Sequence, residues 1–260
     1  MIDFISKTNY GMDDLLHIMS LLREQCPWDR EQTHESIRMN LLEEAYEAAE
    51  AISERDDSML SEELGDVLLQ VVFHSQIASE TGRFDFSVVA DGICRKLIER
   101  HPHVFAELEV SGTEEVLGNW DAIKRKNKTH TTQSETMEAL CKCLPALMRA
   151  EKIQKRAAKV GFDWPDISGA RDKLSEEIRE LDESIECLGN IEEELGDLLF
   201  SVVNMGRFLQ VDCERALEKA NKKFISRFSR MERIAAERGQ CLEALSLETL
   251  ENLWTEIKDV

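Results

Sequence analysis

Residues 61–72 read SEELGDVLLQVV and residues 192–203 read EEELGDLLFSVV, so one carboxylate-bearing segment occurs twice in this chain. The repetition runs well beyond that segment. Residues 41–52 (LLEEAYEAAEAI) match 174–185 (LSEEIRELDESI), Lys96 and Arg100 match Lys223 and Arg227, and Trp120 matches Trp254. The offset between matched positions stays between 127 and 134 residues. A register held that long marks duplication of a whole folding unit. The expected organisation is a first domain over 1–125, a linker over 126–144 and a second domain over 145–260. The stretch 126–135 (KNKTHTTQSE) is polar and almost free of apolar residues, as a connection requires.

The periodicity inside each copy is helical. Ile191, Leu195, Leu198, Leu199 and Val202 recur at spacings of three and four, and 61–78 behaves the same way. With only 12 Gly and 4 Pro in 260 residues, the chain has few places to break a helix, and no alternating run signals a sheet. Asp56-Asp57-Ser58 and Gly189-Asn190 read as short connections between the two central helices of each copy. Helices so joined pack antiparallel. The fold class is therefore all-α, a tandem repeat of two helical bundles.

The acidic residues are placed to use that arrangement. Glu177 and Glu180 are three apart on one helix, and Glu194 and Asp197 are three apart on the next. Such residues share a helix face, and two antiparallel helices can turn both pairs toward one space. The first copy repeats the pattern with Glu44, Glu47, Glu63 and Asp66. Four packed carboxylates repel one another, and a hard cation compensates; an all-oxygen set suits Mg²⁺ or Mn²⁺ better than Zn²⁺. A lone E-x-x-E is ordinarily a solvated helix face, but here it recurs with E-x-x-D twice. Gly65 and Gly196 fall at the same helical place in each copy, where close approach by a neighbour or ligand would explain them, as would simple packing.

Composition narrows the partners. A net charge of −20 argues against nucleic-acid or anionic-membrane binding, while leaving room for a nucleotide bridged by divalent cations. No apolar run is long enough for a membrane span, and residues 1–10 lack the basic and apolar regions of a signal peptide. The seven cysteines are scattered and odd in number, which fits reduced thiols in a cytoplasmic protein. His101 and His103 read as structural. Glu31-Gln-Thr-His34 is one E-x-x-H where a ferritin-like di-iron site needs two.

The E-E-x-x-E and E-x-x-D pattern on two helices resembles the MazG group of all-α NTP pyrophosphohydrolases. Cys26-Pro-Trp-Asp29, Arg100-His-Pro-His-Val-Phe105 and Val160-Gly-Phe-Asp-Trp164 resemble its two-domain members, and the likeness covers nearly the whole chain. The resemblance implies hydrolysis of NTP or dNTP to the monophosphate and diphosphate. Mg²⁺ on Glu177, Glu180, Glu194 and Asp197 would hold the phosphates while water attacks the α-phosphorus. It further implies that Lys173, Lys223 and Arg227 neutralise phosphate oxygens and that Trp254 meets the base or ribose, with Glu176 or Glu193 as a supporting carboxylate or base. For each cation the competing reading is a solvated helix face, and for Trp254 plain packing. A homodimer is also implied. Glu44, Glu47, Glu63 and Asp66 form a second candidate metal site, but the position matching Lys173 is Asn40, so the second domain is expected to be the main catalytic one and the first weaker, regulatory or structural. The expected role is nucleotide-pool house-cleaning or stress-linked nucleotide control. The rival is a non-catalytic nucleotide-binding regulatory protein, and neither base preference nor any protein partner is readable.

Overall fold

The computed structural model describes residues 7–106, 108, 110–126 and 132–258, and every regular element among them is helical. The chain divides between residues 128 and 129 into two compact units. The first holds α1 (Met12–Gln25), α2 (Pro27–Glu31), α3 (Arg38–Glu54), α4 (Asp57–Glu80), α5 (Phe86–Arg100), α6 (Pro102–Phe105) and α7 (Thr113–Lys126). The second holds α8 (Gln133–Glu138), α9 (Ala146–Ala158), α10 (Ile167–Cys187), α11 (Ile191–Phe208), α12 (Cys213–Glu237) and α13 (Leu247–Lys258). No helix of the described residues is long and apolar enough to cross a membrane.

Each unit is organised by one helical hairpin, α3–α4 in the first and α10–α11 in the second. The turns are made the same way. α3 ends on Arg55 in the left-handed conformation (φ 59°), and the Asp56 side chain then caps α4 by accepting from the amides of Ser58 and Met59, both at 3.0 Å. α10 ends on Leu188, also left-handed (φ 54°), and Asn190 caps α11 through the Glu193 amide. Gly189 between them has a steric reason: a Cβ there would lie 2.8 Å from Ser184 Oγ.

In the first unit α1 and α5 pack on α4 around Met19, Ile37, Val72, Phe73 and Ile77. Arg23 of α1 is buried there, donating to both carboxylate oxygens of Glu80 at 2.8 and 2.6 Å and to the Gln32 carbonyl at 2.9 Å. In the second unit α9 packs on α11 and α12, and α13 packs on α12 around Met231, Leu253 and Ile257. Arg207 of α11 forms a two-pronged pair with Asp163, which fixes the loop before α10.

Part of the stretch 126–144, read as linker, is ordered. Thr132 Oγ1 accepts from the Glu135 amide and the Glu135 carboxylate accepts from the Thr132 amide, a capping box that starts α8. α8 packs on α9 and belongs to the second unit. Residues 127–131 lie outside the described ones.

The first unit also contains a histidine relay. His34 and His74 bring their Nδ1 atoms to 2.8 Å, with ring planes 9° apart and centroids 5.1 Å apart. Those distances put both nitrogens near the line joining the ring centres, so the rings meet edge to edge. An Arg83 guanidinium nitrogen stands 2.9 Å from His34 Nε2, and arginine can only donate. His34 therefore carries its proton on Nδ1 and donates it to His74 Nδ1, which leaves the His74 proton on Nε2, buried and without a partner among the described residues. Burial, and then His34, hold the His74 pKa below its ordinary 6.5. The unfolded chain accordingly binds a proton more readily than the folded one, and the contribution to stability is complete above that value and lost below it. The first unit is expected to unfold at lower temperature as pH falls from about 7 to about 5. Replacing both histidines with phenylalanine should shrink that acid limb, and an unchanged limb would contradict the relay.

Candidate functional site

The α10–α11 hairpin brings three of its four expected carboxylates together. Carboxylate oxygens of Glu177, Glu194 and Asp197 all lie within 4.8 Å of one another, and those of Glu44, Glu63 and Asp66 do the same across α3–α4. Glu180 and Glu47 stand outside these closest groups but within electrostatic reach: Glu180 acts on Glu194, and Glu47 acts on both Glu44 and Glu63. Burial is the first cause that raises the pKa of Glu194, followed by repulsion from Glu180, Glu193, Asp197 and Glu177. Burial and then neighbouring carboxylates likewise raise Glu44 and Glu63.

Glu177 is the buried member, only 4% exposed. Its Oε1 is 2.7 Å from Lys173 Nζ, while its Oε2 is buried with no hydrogen-bond partner among the described residues. A buried carboxylate oxygen without a donor is costly, and it lies in a group of carboxylates whose charges repel. A small divalent cation fits both facts, and the donor set is all oxygen. The residues present therefore suit Mg²⁺ or Mn²⁺.

The other predicted residues fall into two groups. Lys173 and Glu176 sit beside the cluster and pair with each other at 3.0 Å. Glu193 is engaged in capping, because the Asn190 side-chain amide donates to its carboxylate at 2.7 Å. Lys223 and Arg227 stand on α12, a different element, which packs on α13 and α9. Trp254 of α13 meets Phe224, one residue from Lys223, with centroids 5.0 Å apart. The structure thus joins Trp254 to the helix that carries the K-x-x-x-R pair. In the first unit the matching tryptophan meets the K-x-x-x-R pair itself: the Arg100 guanidinium carbon lies 5.3 Å from the Trp120 ring centre. Four features escaped the sequence reading. The four-residue spacing of Lys173 and Glu177 was the available signal for their ion pair. Neither the Arg207–Asp163 pair nor the His34–His74 relay has a local one, and the same holds for the burial of Glu177.

Comparison with known proteins follows the two hairpins. The model of a family described as the MazG nucleotide pyrophosphohydrolase domain matches residues 32–105 and again 168–232. A nucleoside triphosphate pyrophosphohydrolase of Escherichia coli (strain K12) is 46% identical over 254 residues, covering 95% of this chain and 97% of that protein. The nucleoside triphosphate pyrophosphohydrolase/pyrophosphatase MazG of Thermotoga maritima is 47% identical over 248 residues, covering 95% of each. The uncharacterized protein YabN of Bacillus subtilis is 45% identical over 245 residues, covering 90% of this chain but 48% of that longer protein.

The paired glycines have no steric explanation among the described residues. A Cβ at Gly65 or Gly196 would meet nothing within 4 Å, so close approach by a neighbouring helix among the described residues is not their cause. Gly196→Ala should therefore stabilise the isolated unit, by up to about 1 kcal/mol in chemical denaturation, since mid-helix glycine is unfavourable by that amount. A destabilised variant would show that the glycine is required by the fold itself.

Proposed function

This chain belongs to the MazG nucleotide pyrophosphohydrolase family, and we propose that its second unit hydrolyses nucleoside triphosphates to the monophosphate and diphosphate at Glu177, Glu180, Glu194 and Asp197. The observation that carries the placement is the buried, unpartnered Glu177 oxygen in a group of carboxylates within 4.8 Å. Mg²⁺, or Mn²⁺, held by these four residues would supply Lewis-acid polarisation of the α-phosphate. Lys173 is already at the cluster edge and would neutralise phosphate charge there. Lys223 and Arg227 would do so from α12, and Trp254 would border the base or ribose from α13. Water then attacks the α-phosphorus, and diphosphate leaves. Glu176, paired with Lys173, or Glu193, held by Asn190, would assist the water. The full cluster recurs in the first unit around Glu44, Glu47, Glu63 and Asp66, but without the cation beside Glu44, which supports a subordinate role there.

The proposal extends to a homodimer. Ile191, Leu195, Leu199 and Val202 form the apolar stripe of α11, and each is 42–50% exposed in the single chain. Leu217, Phe224 and Phe228 of α12 are likewise exposed, at 51, 56 and 39%. A second copy would cover such a stripe, where water leaves it unfavourably exposed. The setting proposed is cytoplasmic, and the role is removal of unwanted nucleotides or stress-linked nucleotide control.

The activity is tested by diphosphate release from a panel of ribo- and deoxyribonucleoside triphosphates with and without Mg²⁺. Glu177→Gln is expected to lower turnover at least about a hundredfold, the scale of several kcal/mol of lost charge stabilisation, and Glu44→Gln far less. The reverse ranking would assign catalysis to the first unit, and no turnover of any nucleotide would favour a regulatory protein. Leu199→Glu should shift the protein from dimer to monomer in sedimentation; a wild type already monomeric at micromolar concentration would end the dimer proposal.

A further inference from the structure

The loop before α10 carries a motif that the proposed chemistry leaves unused, Val160-Gly-Phe-Asp-Trp164. Trp164 is half-exposed, and Val160 and Phe162 beside it are exposed as well. This tryptophan is nonetheless fixed from two sides. The Asp163 carboxylate, paired with Arg207 of α11, also accepts from the Trp164 amide at 2.9 Å. The indole lies on Gly169 in the first turn of α10, so close that a Cβ there would stand 2.7 Å from ring carbons, and only glycine permits that seat. Gly169, Lys173 and Glu177 are spaced by four and run along one side of α10. The seat of the indole is therefore one turn before Lys173 and about 12 Å along the helix axis from Glu177.

The first unit builds a similar seat with different bonds. Exposed Trp28 precedes its hairpin, and its carbonyl accepts from Gln32 Nε2 at 2.9 Å. The next carbonyl, of Asp29, accepts from Arg23, which is paired with Glu80 at the end of α4. In both copies the end of the second hairpin helix steadies an exposed tryptophan, through a cation on that helix in one and an anion in the other.

We propose that Trp164 is the stacking surface for the base of the nucleoside triphosphate bound in the second unit. The inference rests on the nucleotide reading given above and adds the residue that holds the base. With the α-phosphate at the carboxylates, a nucleoside running along α10 passes Lys173 and reaches Trp164. An indole already held in place gives up little freedom on stacking and gains from covering its apolar face. Every base offers a π face, so the contact raises affinity without selecting the base. Trp254 is then left to border the ribose.

The test is titration calorimetry on the full chain with Mg²⁺, comparing an α,β-methylene nucleoside triphosphate with tripolyphosphate, which lacks the base. Trp164→Ala should weaken the nucleotide analogue about tenfold or more and leave tripolyphosphate unchanged. Trp164→Leu, which still covers Gly169 but has no π face, should do the same and serves if the alanine variant does not fold. Trp164→Phe keeps an aromatic face and should retain most of the affinity. Nucleotide affinity equal to wild type in the leucine and alanine variants would overturn the base assignment while leaving the nucleotide site intact. Equal weakening of both ligands would also overturn it, because Trp164 would then only shape the hairpin. If wild type binds neither ligand, the nucleotide reading fails and this inference with it.

Discussion

Both units depend on one constraint: an antiparallel hairpin holds acidic side chains of two helices so close that their oxygens fall within 4.8 Å. Left to themselves these charges would push the helices apart. The apolar packing of the rest of each unit opposes that, with Met19, Val72, Phe73 and Ile77 behind α4 and the Gln154 amide holding the α11 backbone at the Phe200 carbonyl, 2.8 Å away. The carboxylates that repulsion and burial raise in pKa are the groups that gain most from a cation. Stability has been conceded at one place in each hairpin, where a bound cation would recover it.

Duplication then allowed the copies to diverge at few positions. The acidic set is the same in both, and so are the tryptophan and the K-x-x-x-R pair. Asn40 against Lys173 changes the charge beside the buried carboxylate, and the histidine relay exists only in the first unit because no histidine occurs after His130. The relay links the segment before α3 to the far end of α4, so the first hairpin is tied by polar contacts at the end remote from its turn. The second is tied instead by Arg207 and Asp163. Equivalent hairpins are braced by unrelated chemistry.

How much of this was legible in the sequence follows from distance along the chain. The 3.6-residue period exposed the helices, the i,i+3 spacing exposed the carboxylate faces, and duplication showed that both mattered. The capping box at Thr132 and Glu135 was equally local, yet the polar composition around it concealed α8. Contacts between residues far apart in sequence leave no such mark: His34 meets His74 across 40 positions and Arg207 meets Asp163 across 44. Periodicity also states that α11 is amphipathic without stating against what, and its apolar stripe is half exposed in the single chain. Trp254 shows the same limit, since its match to Trp120 was plain but its contact with Phe224 needed the fold.

The account stands on water attacking the α-phosphorus of a nucleotide held at these carboxylates, and isotope labelling reads that bond directly. Hydrolysis of a preferred triphosphate in ¹⁸O-water, analysed by mass spectrometry over a single turnover, is expected to place the label in the nucleoside monophosphate and leave the diphosphate unlabelled. Label in the diphosphate would mean attack at the β-phosphorus, and the geometry assigned to Glu177, Glu180, Glu194 and Asp197 would then be wrong.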